Sequence, residues 1–217
     1  AYVTLAARSA QEIETACANI RAAGGRATAG TLDVTDSKAV TTYVAQHGPF
    51  DILINNAGTN RPSLITDMAD ADYDAVMDLN VRATMFVTRE VARGLIGAGK
   101  PGSIITISSQ MGHVGGPKRA LYCATKHAVE GMTKALAWEL GPHGIRTNTI
   151  CPTFIETAMT EKMFSDAAFR SYVESRIALG RLGKLEDIMG AVVFLASDAA
   201  ALITGSALMV DGGWTAA

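Results

Sequence analysis

The sequence predicts a doubly wound α/β fold, a parallel sheet with helices on both faces. Three observations carry that expectation. Apolar runs of strand length alternate with stretches of helical periodicity through all 217 residues. The strand segments, such as Asp51–Asn55 (DILIN) and Ser103–Ile107 (SIITI), are apolar throughout rather than at every second residue, as strands covered on both faces are. No internal repeat, low-complexity tract or linker interrupts the pattern, so residues 1–217 are expected to form a single domain.

Each element has its own signal. Tyr2-Val3-Thr4-Leu5 is β-branched and aromatic and reads as a strand. A helix follows, opened by the Ser9/Glu12 capping box, carrying Ile13, Ala16, Cys17 and Ile20 on one stripe, and stopped by Gly24-Gly25. A strand near Arg26–Leu32 ends in Asp33-Val34, and a capped helix runs from about Asp36 to His47. The DILIN strand ends in Asn-Ala-Gly. A long helix is expected from Asp70 to about Ile96, up to the break at Gly99–Gly102. After SIITI comes a loop with Gly112, Gly115, Gly116 and Pro117, then a second long helix over Arg119–Leu140. Ile145–Ile150 is a strand ended by Pro152. Thr157–Ala178, with two Met and two Phe among charges, reads as a mobile helical flap. Leu185–Ala196 is a helix, and Ala207–Val210 a last strand closed by Asp211-Gly212-Gly213.

Composition narrows the function. Apolar residues at 48% exclude a disordered chain. Charged residues at 18%, against a usual ~25%, suit much buried surface and a subunit interface. A net charge of −2 with no Lys/Arg run argues against a nucleic acid partner. No apolar stretch approaches the ~18–20 residues that span a bilayer. Cys17, Cys123 and Cys151 form no CxxC and cannot all pair, so neither a disulfide scaffold nor a metal site is expected. With no signal peptide evident, a reduced, cytoplasmic setting is the default.

Ligands of such sheets bind at the carboxyl ends of the strands, which singles out Asp33, Asn55–Gly58, Ser108-Ser109 and Pro152–Thr157. Tyr122 and Lys126, four apart, share one helix face. A phenol with a pKa of ~10 is a poor base at neutral pH, and an adjacent ammonium favours the phenolate. Alone, the pair is as readily a surface tyrosine and a solvated lysine. Ser109, however, ends the SIITI strand where its hydroxyl would meet the ligand crevice. Asn80 sits inside the first long helix, where asparagine has no propensity reason to be.

Together these residues carry a resemblance. Asp33-Val34, Asn55-Asn56-Ala57-Gly58, Asn80, Ser109, Tyr122-x-x-x-Lys126, Asn148-x-x-Cys151-Pro152 and Asp211-Gly212-Gly213 fall in the order and spacing of the short-chain dehydrogenase/reductase family. The chain resembles that family over essentially its whole length, including members that are 3-oxoacyl-carrier-protein reductases or sugar and polyol dehydrogenases. The resemblance implies a Rossmann-like fold, a nicotinamide cofactor, usually a homotetramer, and Asn80, Ser109, Tyr122 and Lys126 as the catalytic group. Tyr122 would exchange a proton with the substrate oxygen while hydride passes to or from the nicotinamide. Ser109 would hold that oxygen, Lys126 would lower the Tyr122 pKa and bind the nicotinamide ribose, and Asn80 would hold a water joining Lys126 to solvent. Asp33 and Val34 would meet the adenine, Asn56, Ala57 and Gly58 the ribose, and Pro152, Ile155 and Thr157 the nicotinamide end.

One feature of the family is missing: the glycine-rich turn after the first strand, which presents a helix N-terminus to the pyrophosphate. The sequence begins at what matches the family's second strand. A central strand cannot be dropped while its neighbours pair, since the gap would be roughly 9–10 Å. The expectation is that about 30 residues, one strand-and-helix unit, belong between the two halves of the sheet.

Cofactor preference turns on the end of the first strand here, Ala6-Ala7-Arg8-Ser9. It lacks the acid that bonds a ribose 2′-hydroxyl in NAD sites and offers a guanidinium suited to a 2′-phosphate. NADP(H) is therefore expected, with NAD the alternative. The substrate would lie between the loop after Ser109 and the flap, near Asn60, Met111, His113, Arg119 and Met159. Cationic side chains there suit a sugar acid, a polyol or a 3-oxoacyl compound, and the expected partner is a small alcohol or carbonyl substrate. The competing readings are a catalytically silent cofactor-binding regulator and a structural oligomer of the same fold.

Overall fold

The computed structural model describes residues 1–216, with the side chains of residues 158, 159 and 162 outside the description. The elements, in chain order, are β1 (Tyr2–Ala7), α1 (Ala10–Ala22), β2 (Arg26–Thr31), α2 (Ser37–His47), β3 (Ile52–Asn55), α3 (Asp70–Met77), α4 (Thr84–Ala98), β4 (Gly102–Ile107), α5 (Ala120–Leu140), β5 (Ile145–Pro152), α6 (Ala158–Phe164), α7 (Ala167–Ser175), α8 (Leu185–Ala196) and β6 (Ala207–Val210). Every pairing between strands is parallel.

Neighbouring side chains on β4 show how the layers form. Ile104 joins a buried cluster with Val40 and Val44 of α2, Val91 and Leu95 of α4, and Leu140 of α5. Ile105, the next residue and so on the opposite face, joins Ile150 of β5 and Leu195 of α8. Both faces of one strand are thus covered by helices, which is why SIITI has no polar alternation. The fold is the expected Rossmann-like α/β sheet. Among the described residues, no helix is long and apolar enough to cross a membrane.

The strands fall into two groups, β1-β2 and β3-β4-β5-β6, with no hydrogen-bonded pairing between them. Of the described strands, β1 pairs only with β2 and β3 only with β4, so each retains an unpaired edge. Tyr2 and Val3 of β1 and Ile52 and Ile54 of β3 are exposed. The strand matching the family's second does not close onto the one matching its fourth, as the sequence led one to expect.

One helical prediction is refined and one corrected. The stretch from Asp70 is helical without a break to Ala98, as expected, but residues Asp78–Ala83 between α3 and α4 form a π-helical segment. The Thr84 hydroxyl donates to the Asn80 carbonyl at 2.9 Å, and the Asn80 side chain is drawn off to other partners. Single π-turns of this kind cluster at functional sites. The flap also splits in two, because Asp166 caps a fresh helix by accepting from the Ala168 and Phe169 amides at 2.9 and 3.2 Å. Phe164 and Phe169 then pack with Phe154 and Trp214 over Val173, Ile177 and Leu182.

Two family motifs prove to be structural fasteners. The Asn148 side chain donates to the Ile203 carbonyl and accepts from the Ser206 amide, clamping β5 to the approach of β6. Asp211 accepts from the Gly213 amide and from the amide and hydroxyl of Thr215, and the Gly212 carbonyl holds the Leu179 amide at the end of the flap.

Candidate active site

The site assembles where β4 ends. The Ser108 amide continues the ladder by donating to the Ile150 carbonyl of β5 at 2.8 Å. The next residue, Ser109, is extended and caps a short 3-10 turn: its hydroxyl accepts from the Met111 amide at 3.2 Å and donates to the Gln110 amide oxygen at 2.9 Å. The glycine-rich loop then returns the chain into α5, where Tyr122, Lys126 and Glu130 follow at four-residue spacing. The Lys126 ammonium reaches back to donate to the Ile107 carbonyl at 2.9 Å and stands 5.5 Å from the centre of the Tyr122 ring. The helix face and the strand end therefore meet at one point.

Asn80 completes the group from the π-turn. Its Oδ1 accepts from the Thr59 amide at 2.8 Å, while its Nδ2 donates to the Thr59 carbonyl and to the Thr125 hydroxyl. The segment after β3 is thereby fastened to α5. A Cβ on Gly58 would stand 3.4 Å from Asn80 Oδ1 and 4.0 Å from Lys126 Nζ, so the absence of a side chain leaves space directly over those two groups.

The electrostatics differ from the sequence expectation in one respect. Burial pushes the Tyr122 phenol above its ordinary value, and the opposing influences are the Ser109 hydroxyl and the Arg119 guanidinium, not Lys126. Lys126 is itself pulled down to about 8 by burial, partly offset by Cys151 and Glu130. Lys126 therefore keeps its charge at neutral pH and loses it as the pH passes about 8, with its ammonium 5.5 Å from the centre of the phenol ring.

The carboxyl ends of β1 and β2 carry Arg8 and Asp33. The Asp33 carboxyl is held below its ordinary range by the Thr35 hydroxyl and amide, at 2.7 and 2.9 Å, with a smaller contribution from Arg8. Val34 packs against the core beside α2. Asn55 is internal glue, bonded to Thr88 and Thr106, whereas Asn56 and Ala57 are exposed. On the other side Pro152 ends β5, Ile155 bridges to Gly183, and Thr157 caps α6.

Toward the substrate side, Arg119 is buried at 8% exposure, and among the described residues its Nη1 has no hydrogen-bond partner. Among the described residues no carboxylate lies within ion-pairing distance of it. Lys118 beside it takes a left-handed φ of 60°, strained for a side chain, and lines a cleft of about 310 Å³ with Ser63, Leu64 and Cys123. Asn60 is half-buried next to the Thr59–Asn80 clasp. Met111 is buried, its Cε where a Cβ on Gly116 would stand 3.1 Å away. His113 turns Nε2 onto Cys151 and Glu130. Met159 lies outside the described side chains. Arg61, considered for the same space, is ion-paired to Asp72.

The match to known proteins is extensive. A family model described as Enoyl-(Acyl carrier protein) reductase fits residues 1–215. The chain belongs to the short-chain dehydrogenase/reductase family. Gluconate 5-dehydrogenase of Gluconobacter oxydans is 40% identical over 219 aligned positions, covering 99% of this chain and 85% of that one. The 3-oxoacyl-[acyl-carrier-protein] reductase of Thermotoga maritima is 41% identical, over 84% of this chain and 74% of that one. Among solved structures, a gluconate 5-dehydrogenase from Burkholderia cenocepacia in complex with NADP and tartrate superposes with a TM-score of 0.94 at 33% identity, over 100% of this chain and 86% of that one.

Membership makes this short-chain dehydrogenase/reductase an NAD(P)-dependent oxidoreductase and gives the cluster at the end of β4 its frame. The fold brings Asn80, Ser109, Tyr122 and Lys126 together, the last three on two adjoining elements and the first through Thr125 and Thr59. Sequence reasoning missed Glu130 and Thr125. For Glu130 a signal was present: it continues the Tyr122–Lys126 face by one more turn.

Proposed function

We propose that this protein interconverts a secondary alcohol and a ketone on a carboxylate-bearing, polyhydroxylated substrate of the sugar-acid kind, using NADP(H), with Tyr122 as general acid/base. The observation that carries the substrate class is Arg119. A buried guanidinium without a counter-ion is costly, and Arg119 acts electrostatically on Tyr122, so an anionic group of the substrate is the partner it lacks. A relative crystallised with NADP and tartrate, a dicarboxylate bearing hydroxyls, supports the reading, as does the similarity to gluconate 5-dehydrogenase.

The residues present fit the cofactor. Arg8 would hold the 2′-phosphate, Asp33 and Val34 the adenine, Asn56, Ala57 and Gly58 the ribose under the open space above Lys126, and Pro152, Ile155 and Thr157 the far end. When bound, NADP(H) supplies or accepts the hydride. Tyr122 gives its phenolic proton to the carbonyl oxygen during reduction and takes it from the hydroxyl during oxidation. Ser109 holds that oxygen and steadies its developing charge. Lys126 contributes binding and a proton route through its ammonium. The unpaired edges of β1 and β3 support the reading that a further strand-and-helix unit, outside residues 1–217, seats between them and completes the pyrophosphate side.

Steady-state kinetics on a panel of sugar acids and the matching neutral polyols tests the assignment. Arg119→Gln should raise KM for the acid about 10–100-fold, the loss of a charged hydrogen bond worth roughly 1.5–3 kcal/mol, while KM for NADPH stays within twofold. Equal losses on acid and polyol would contradict it, and absence of turnover on every alcohol would favour the regulator reading instead.

A further inference from the structure

One turn past Lys126 on α5, the Glu130 carboxylate is buried at 5% exposure and takes no part in the proton chemistry above. Its Oε2 accepts from the Thr149 hydroxyl at 3.0 Å. Its Oε1 accepts from the Cys151 thiol at 3.3 Å and stands 3.6 Å from His113 Nε2, which is itself 3.5 Å from Cys151 Sγ. Three donors of three kinds, from the loop after β4, from α5 and from β5, thus converge within 4.8 Å of one another.

We propose that His113 Nε2, Glu130 Oε1 and Cys151 Sγ form a zinc-binding site. An imidazole nitrogen, a carboxylate oxygen and a sulfur make the borderline-soft donor set that zinc takes and that calcium or magnesium does not. The spacing agrees. Tetrahedral zinc with Zn–S of about 2.3 Å and Zn–N or Zn–O of about 2.0–2.2 Å sets sulfur roughly 3.5–3.7 Å from each of the other ligands and nitrogen roughly 3.3–3.5 Å from oxygen. The observed separations of 3.3 Å (S–O), 3.5 Å (S–N) and 3.6 Å (N–O) lie within about 0.3 Å of those values.

A second observation points at the same spot. Ser108 is 4% exposed and its hydroxyl has no hydrogen-bond partner by distance and angle among the described residues; a Cβ on Gly112 would stand 3.1 Å from both that hydroxyl and Glu130 Cγ, so a further oxygen is buried beside the cluster. The Thr149 hydroxyl touches both Glu130 Oε2 and Cys151 Sγ, orienting two ligands from behind. The His113 side chain is 30% exposed and gives the ion a way in.

The chemistry balances without a co-reactant. The cation replaces the thiol proton, which leaves to solvent; the thiolate and carboxylate then neutralise the two positive charges, and no electron moves. Bound there, the ion would tie the loop that carries Ser109 and Arg119 to α5 and β5.

The proposal rests on donor geometry and not on the proposed reaction, so its test uses metal alone and no substrate. Chelator-treated protein is titrated with Zn²⁺ against a chromophoric chelator, and in parallel with Co²⁺ followed by absorbance. One equivalent should bind per chain, raising Tm, with a thiolate-to-cobalt charge-transfer band and the intense visible bands of tetrahedral Co²⁺. Cys151→Ser should abolish the charge-transfer band. His113→Ala, a partly exposed position whose loss leaves the core intact, should weaken zinc binding at least tenfold. Binding no tighter than in His113→Ala, or cobalt bound with no thiolate band, would overturn the site.

Discussion

At the scale of single residues, the proposed acid/base role of Tyr122 makes its protonation state the quantity to test. Burial raises the phenol above its ordinary value of about 10, so it is protonated at neutral pH and ready to act as the acid. Reduction should therefore be flat between pH 6 and 7 and fall above about pH 8 as Lys126 loses its charge. Oxidation needs the phenolate, whose fraction grows about tenfold per pH unit below the pKa, so log kcat/KM for oxidation should climb with unit slope up to about pH 8 and then level as Lys126 discharges. A break near pH 7 in a pH–rate profile would mean that a cation absent from this balance depresses the phenol. Tyr122→Phe should cost about 10²–10⁴ in kcat with NADPH affinity nearly unchanged, whereas Lys126→Ala should lower both; fluorescence titration separates the two, and equal loss of affinity would contradict the roles. These residues were legible because each breaks a local rule: a phenol and an amine on one helix face, a serine closing a strand, an asparagine inside a helix. The contact between Cys151 and His113 was not, because it spans 38 positions and no spacing rule reaches that far.

At the scale of elements, the strands and their order were readable from unbroken apolar runs, and the errors fell where side chains compete with the backbone ladder. The π-helical segment at Asp78–Ala83 holds Asn80, whose side-chain partners Thr59 and Thr125 lie far off in sequence, whereas Asp166 breaks the flap by capping its own amides at Ala168 and Phe169. What periodicity does convey is the seating of α4 on the sheet. Leu95 is fully buried among Val91, Ile104 and Leu140, and a Cβ on Gly102 at the start of β4 would stand 2.5 Å from its Cδ1 and 3.1 Å from the Asp51 carbonyl. Strand and helix are thus fitted to a methyl group's tolerance. Leu95→Ala should cost about 3 kcal/mol through the cavity it leaves, lowering Tm by roughly 6–12 °C for a chain of this size. Gly102→Ala should destabilise by about 1–3 kcal/mol through overpacking. Thermal unfolding of both variants checks this, and in the double variant the two losses should be less than additive, because truncating Leu95 makes room for the new methyl.

At the scale of the whole molecule, two kinds of surface are left without a partner. The first is the pair of strand edges on β1 and β3, where Tyr2, Val3, Ile52 and Ile54 stand exposed. The second is on α5, where Ala128, Gly131 and Ala135 lie exposed at helical spacing and Trp138 on the same helix is 87% exposed. Small residues permit a close helix approach, and a Trp that size in water suits an interface; the helices over Asp70–Ile96 and Arg119–Leu140 resemble the pair that forms the family's main dimer interface, within the homotetramer the resemblance implies. Gly131 discriminates between a folding role and an assembly role, because a Cβ there meets nothing within 4 Å inside the chain. Within one protomer, Gly131→Arg should stabilise α5 slightly, since glycine is the poorer helix former by about 1 kcal/mol. In a helix-to-helix interface the same arginine would force the copies apart. Sedimentation velocity should therefore show the variant dissociating to smaller species while its circular dichroism remains that of the folded protein. Unchanged sedimentation would place any subunit contact away from α5 and leave Trp138 without an explanation.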